Sequence, residues 1–233
     1  MKLYAISDLH LSGASAKPMD IFGPQWENHQ ARLHVIWKET VLPEDIVLIG
    51  GDISWAMNLE DAAVDLNMIA ALPGTKVLLK GNHDYWWSSL SKVQAAAGPT
   101  CRILQNNALR FEGVVIAGTR GWALTTCNPT AQDQKIIRRE LLRLKMSLDA
   151  AKNIQQPGDR LIAMMHYPPF SEKVEETGFT KLLEEYGVET ALYGHLHNVK
   201  ENGAFNGIFN GVRYVLTSSD YLKFKPILLY TLN

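Results

Sequence analysis

The chain has almost no cysteine. Cys101 and Cys127 are the only two in 233 residues. That is too few for a disulfide scaffold, and with no Cys-x-x-Cys pair there is no redox or thiolate motif. Both are expected to be reduced thiols in a cytoplasmic protein. Long apolar runs are missing as well, since no stretch approaches the ~18 residues of a membrane span. The apolar run within residues 1–6 is too short for the core of a signal peptide, and Asp8 soon interrupts it. Neither export nor membrane attachment is therefore expected. A charge of one sign is also lacking. Lys and Arg total 23 against 24 Asp and Glu, a net charge of -1, without the basic balance by which proteins grip nucleic-acid phosphates. There are no repeats, low-complexity stretches or linkers. What remains is 46% hydrophobic and 20% charged, an ordinary globular composition. It is long enough to bury a core unaided, and one domain over residues 1–233 is expected.

Short apolar runs at residues 3–6, 46–49, 77–79, 114–117, 161–165 and 190–193 read as buried strands. Residues 30–40 and 59–71 read as helices between the early ones. In the second, Leu59, Ala62, Ala63, Leu66, Ile69 and Ala70 recur at helical spacing, and Pro73-Gly74 stops it. This β-α-β-α-β opening implies a parallel sheet. Tight hairpin turns are expected at Asn106-Asn107, Glu112-Gly113 and Asn210-Gly211. A long helix is expected over residues 130–153, starting near Asn128-Pro129, with Ile137, Leu141, Leu144 and Leu148 as its buried stripe. Its Arg138, Arg139, Arg143 and Lys145 read as the solvated face opposite that stripe. A last strand is expected at residues 227–232. Two packed sheets covered by helices accommodate this order.

Five of the seven histidines fall in an ordered series of short motifs. These are Asp8-Leu9-His10, Gly51-Asp52, Gly81-Asn82-His83-Asp84, His166 and Gly194-His195-Leu196-His197. Each follows or ends an apolar run. Histidines and carboxylates at several strand ends can be drawn together into a metal site, and this set is too large for one ion. In extended chain, residues i and i+2 point the same way, so Asp8 and His10 can serve one ion. His195 and His197 repeat that spacing. Gly50-Gly51 lets the backbone pass close beside Asp52, whose two oxygens can bridge two cations. Asn82 offers a neutral carbonyl oxygen, and His166 ends a strand. Seven ligands with one bridge give four to each of two ions. The donors are N and O without thiolate, which suits two divalent ions, Mn expected, with Fe or Zn as alternatives. His29 and His34 read as surface or helix residues.

The order Asp-x-His, Gly-Asp, Gly-Asn-His-Asp, His, Gly-His-x-His resembles the calcineurin-like metallophosphoesterase superfamily. The resemblance implies an α/β fold, a four-layer α/β/β/α sandwich with two mixed sheets flanked by helices. It implies Asp8, His10, Asp52 and His197 on one metal, and Asp52, Asn82, His166 and His195 on the other. It also implies a metal-bridging water or hydroxide as nucleophile and His83 near the leaving-group oxygen. An imidazole beside ligand Asn82 can act there as general acid, and Asp84 is expected to orient it. The second motif continues Ile53-Ser54-Trp55 rather than Asp-Arg-Gly, and the third ends in Asp84 where serine/threonine phosphoprotein phosphatases have Glu. Residues 6–11 and 18–24 resemble instead the bacterial branch of predicted phosphohydrolases.

Near the motifs, Tyr85 and Tyr167 are candidates for substrate contact. Trp55, Trp86, Trp87 and Trp122 read rather as core. Arg120 is a candidate phosphate clamp, because a guanidinium forks onto phosphate oxygens. The expectation is a metal-dependent hydrolase of a phosphomonoester or phosphodiester, acting on a phosphorylated small molecule or diester. The alternatives are a nuclease of the same fold, disfavoured by the balanced charge, and a non-catalytic scaffold, disfavoured by the complete ligand set and His83.

Overall fold

A computed structural model describes residues 1–14, 17–124, 129–171, 173–200 and 203–232. Cys127 and Asn128 lie outside the described residues. In the first sheet, β1 (Lys2–Ile6), β2 (Ile46–Ile49), β3 (Thr75–Leu79) and β4 (Cys101–Leu104) run parallel. The last strand, β11 (Ile227–Thr231), joins β1 antiparallel, giving the order β11-β1-β2-β3-β4. The second sheet has the order β5-β6-β7-β8-β10-β9. Its parallel centre is β6 (Val114–Thr119), β7 (Arg160–Met165), β8 (Thr190–Tyr193) and β10 (Val212–Leu216). The antiparallel edges are β5 (Leu109–Phe111) and β9 (Gly207–Phe209).

Strand alternation builds three core layers. In β2, Val47 and Ile49 face helices, while Ile46 and Leu48 face the other sheet. In β7, Leu161, Ala163 and Met165 face helices, and Ile162 and Met164 pack between the sheets. A strand buried on both faces reads as a continuous apolar run, which is why these were visible in the sequence. The first sheet is covered by α1 (His29–Thr40), α2 (Leu59–Ala71) and α3 (Leu90–Ala97). The second is covered by α4 (Ala131–Ile154) and α5 (Gly178–Glu185). The result is the expected four-layer α/β/β/α sandwich. No helix among the described residues is long and apolar enough to cross a membrane.

Local chemistry sets the helix limits. Asn58 caps α2 by accepting from the Asp61 N–H at 2.9 Å. Thr130 and Asp133 form a reciprocal capping box at the start of α4, which satisfies donors that a helix end otherwise leaves open. The two-residue turns at Glu112-Gly113 and Asn210-Gly211 are hairpins as expected, pairing Phe111 with Val114 and Phe209 with Val212. The turn at Asn106-Asn107 is not a hairpin. Leu104 ends the edge strand of the first sheet and Leu109 begins the edge strand of the second. The Asn107 side chain accepts from the Gln105 N–H at 2.6 Å, and its carbonyl accepts from Ser147 Oγ on α4. The turn thus carries the chain from one sheet to the other.

The sheets are stitched where the first motif begins. Ser7 bridges to Ser218 beyond β10, donating its N–H to the Thr217 carbonyl at 2.7 Å and accepting from the Ser219 N–H at 2.9 Å. Every parallel strand of both sheets therefore ends along one edge.

Candidate metal centre

That edge collects the motif residues. Asp8, Asp52 and Asn82 follow β1, β2 and β3, while His166 and His195 follow β7 and β8. Two groups form among the described residues, Asp8 with His10 and His197, and Asp52 with His166 and His195. Within each group the ligand atoms lie within 4.8 Å of one another. Asn82 joins the second group, its Oδ1 lying 2.7 Å from His166 Nε2. In the first, His10 Nε2 and His197 Nε2 are 3.2 Å apart.

The backbone reaches this arrangement by left-handed turns. Asp8, His10, Asp52 and His195 have φ of 59°, 47°, 50° and 69°, a conformation uncommon outside glycine. Asp8 and His10 therefore converge through these turns and not through strand alternation. The spacing argument fails more fully for the last motif, because His195 and His197 face different groups. Close approach of the second and third motifs depends on Gly81. A Cβ there would lie 2.1 Å from Asp52 Oδ1.

Asp52 lies between the groups. Its Oδ1 accepts from the His83 N–H at 2.8 Å. Its Oδ2 is buried and has no hydrogen-bond partner among the described residues. That orphaned oxygen is 3.9 Å from His10 Nε2 and 3.5 Å from His166 Nε2, one ligand atom from each group. Burial, then the charges of Asp8 and Asp84, push the Asp52 carboxyl up to about 9. A buried carboxylate in this position requires a proton or a cation. Burial and the neighbouring His197 hold His10 well below the ordinary histidine value, and burial takes His166 down to about 4. Both are neutral imidazoles at pH 7, the form that binds metal. Two carboxylates, four imidazoles and an amide oxygen, with one oxygen unpartnered at the centre, fit a pair of divalent ions.

Supporting contacts hold the first motif. Asp8 Oδ2 accepts from Ser7 Oγ at 2.6 Å and from the His195 N–H at 3.0 Å. Asp220, which no motif reading singled out, accepts from His197 Nδ1 at 3.0 Å and from the Asn198 N–H at 2.9 Å. This contact leaves Nε2 free to face the group, as outer carboxylates commonly do for metal-binding histidines. The available signal was a polar cluster, Ser218-Ser219-Asp220, at yet another strand end. Asp220→Ala is expected to weaken divalent-metal affinity by about 10–100-fold, measured by competition with a chelating dye. Unchanged affinity would show that the carboxylate does not set His197.

Asp84 is not placed to orient His83. It is fully buried, and its oxygens accept from the N–H groups of Ile53, Ser54 and Gly81 and from Trp86 Nε1. It pins the second motif loop to the third, because these backbone donors have no ladder to join. The His83 ring belongs to neither ligand group. It lies against Trp55, with centroids 4.5 Å apart, and 5.8 Å from the His10 ring. His29 begins α1, as a helix residue, but is buried with Nε2 3.3 Å from the His10 carbonyl. His34 is a half-buried residue of the same helix.

A cavity of ≈140 Å³ opens over both groups, walled by Met19, Phe22, Trp26 and Trp55 and including His83. Trp55 stacks on His10 at 4.8 Å and is only partly core; Trp86 and Trp87 are buried. Tyr85 is 59% exposed at the rim, 6.3 Å from the His83 ring. Tyr167 is buried, its ring 4.2 Å from that of His195, so it braces that imidazole. Arg120 does not line this cavity. Its guanidinium turns toward Glu140 on α4, into a neighbouring pocket.

The family model of calcineurin-like phosphoesterases matches residues 1–199 of the chain. A search of curated proteins finds no match. Among solved structures, a protein of unknown function from Aquifex aeolicus is similar at 18% identity and a TM-score of 0.54, covering 97% of this chain and 95% of that one. A phosphopantetheinyl hydrolase from Mycobacterium tuberculosis is similar at 12% identity and a TM-score of 0.58, covering 100% and 98%. At such identities the likeness is one of fold.

Proposed function

Because this chain belongs to the calcineurin-like phosphoesterase family, we propose that it is a dinuclear, metal-dependent phosphohydrolase cleaving a phosphomonoester or phosphodiester. The observation that carries the reading is the Asp52 Oδ2 orphan between the two ligand groups. Asp8, His10 and His197 would hold one ion, Asn82, His166 and His195 would hold the other, and Asp52 would serve both. When bound, such a pair lowers the pKa of water and neutralises phosphoryl charge. The chain's own groups do the rest. Asp84 fixes the loops that carry Asp52 and Asn82. Trp26 and Trp55 hold His10 and exclude water from one side. His83 stays outside the ligand set, its backbone held by Asp52 and by the Tyr85 N–H, and its ring donates a proton to the departing oxygen. Burial, then the Lys17 charge, lowers the His83 pKa, so a smaller fraction of the ring is protonated at neutral pH while that fraction is the stronger acid.

The purified protein with Mn²⁺ is expected to hydrolyse a nitrophenyl phosphate or bis-nitrophenyl phosphate, and chelation is expected to abolish the activity. A wider panel, including a phosphopantetheine ester because a neighbour in fold acts on that group, assigns the substrate. Robust turnover by stringently metal-free protein would overturn the reading.

The pH dependence has a definite sign. Burial opposes the charge on His197, but the Asp220 hydrogen bond and the Asp8 and Asp220 charges outweigh it, raising its pKa above the ordinary value. His197 is thus the first of the ligand histidines to protonate as pH falls, and protonation competes with metal. Metal content and activity are expected to drop together below about pH 6. A flat profile down to pH 4 contradicts this.

A further inference from the structure

A separate pocket on the same strand-end edge is lined by four basic residues. Lys80 follows β3 and Arg120 follows β6, so both stand on the strand-end edge that carries the ligands. Arg139 and Arg143 close the pocket from α4, and its volume is ≈280 Å³. These two arginines are half-exposed on the solvated face that their helical spacing suggested, and both also reach a buried carboxylate. They bracket Glu140, whose side chain is 1% exposed. Arg143 Nη1 lies 2.7 Å from Glu140 Oε1, Arg139 Nε 3.4 Å and Arg120 Nη2 4.0 Å, while Thr119 Oγ1 donates to Oε2 at 2.7 Å.

One carboxylate therefore gathers three guanidinium groups, and with Lys80 the pocket is lined by four cations against one anion. Arg120 Nε is buried with no hydrogen-bond partner among the described residues. The Arg120 side chain as a whole is 19% exposed and borders the open volume, where a guanidinium can fork onto an oxyanion. Glu140 alone cannot supply enough lone pairs for three guanidinium groups and an ammonium. The complementary ligand is a compact oxyanion with several acceptor oxygens.

We propose that this pocket is a second anion site, distinct from the metal centre, which takes a phosphate or a phosphorylated group. The Arg120 and Arg143 forks and Lys80 contact its oxygens, and Glu140 holds the guanidinium groups in place. The phosphate is either a free anion or a second phosphate on the substrate. The cationic set needs no metal to form, so the proposal stands apart from the hydrolytic reading.

The test is calorimetric titration of inorganic phosphate into Mn-loaded protein. Wild type is expected to bind two phosphates per chain. Lys80→Gln and Arg120→Gln are each expected to weaken one of the two by about tenfold or more, the usual loss of a hydrogen bond to a charged group. Both variants leave Arg139 and Arg143 on Glu140, so the buried carboxylate keeps partners. Lys80→Arg should restore binding, which separates loss of charge from misfolding. Identical isotherms for wild type and both Gln variants overturn the proposal, whereas a single phosphate that both Gln variants weaken upholds it and counts instead against phosphate binding at the metal centre. A second arm identifies the source by comparing KM for an aryl phosphate with and without a second phosphate. A KM advantage that disappears in Lys80→Gln makes the anion part of the substrate. Equal KM values alongside a two-phosphate isotherm make it a free anion. If the protein hydrolyses nothing, the difference between isotherms still decides the site.

Discussion

Asp52→Ala is expected to strip the protein of at least one metal ion and to reduce phosphoester turnover by roughly 10³-fold or more, because hydrolysis at neutral pH relies on the lowered water pKa that the ions supply. Asp52 Oδ2, which has no hydrogen-bond partner among the described residues, lies 3.9 Å from His10 Nε2 and 3.5 Å from His166 Nε2, one ligand atom from each group. It also accepts from the His83 N–H, so alanine loosens the third motif loop as well. Asp52→Asn separates the two effects. It keeps an acceptor for His83 but removes the charge that binds cations, and the same loss of metal is expected. Elemental analysis by mass spectrometry, run beside turnover, checks both variants. Full occupancy of two ions in Asp52→Asn would mean that Asp52 does not bridge.

His83→Ala is expected to do the opposite, retaining both metals while slowing catalysis. The ring sits in the cavity over the ligand groups without belonging to either. With an alkyl phosphate, whose leaving oxygen needs a proton, the rate should fall by about 10²–10⁴-fold, the usual contribution of a general acid. With a nitrophenyl ester, whose leaving group departs as a stable anion, the fall should be much smaller. Parallel loss of metal would make His83 a ligand. Equal slowing of both esters with metal retained would assign it to phosphoryl stabilisation instead.

Most of the sandwich was legible because its central strands are buried on both faces and read as unbroken apolar runs. The Asn106-Asn107 turn misled for a physical reason. Asparagine pairs mark tight turns, but whether the next strand returns to its neighbour or changes sheet depends on what covers it. Here α4 supplies Ser147 to hold the crossing. The ligand types were legible from motif order, yet their grouping was not a matter of local spacing. His195 and His197 part because the loop takes a left-handed turn at His195. Asp84 and Arg120 were placed near the chemistry by sequence proximity, but backbone donors claim the first and a buried glutamate the second. Asp220 was missed because its role exists only once β10 lies beside β8 and brings its loop against His197.

The split of each ligand group across both sheets has a consequence for biosynthesis. One group needs Asp8 and His10 from the first sheet and His197 from the second; the other needs Asp52 together with His166 and His195. Chains emerge from the ribosome from the N-terminus, at roughly 5–20 residues per second, and earlier segments can fold before later ones exist. A nascent chain that has formed β1 to β4 holds Asp8 and His10 of one group but only Asp52 of the other. Metal acquisition is therefore expected to be late, once residues near 197 have left the exit tunnel and docked, because each group lacks imidazoles until then.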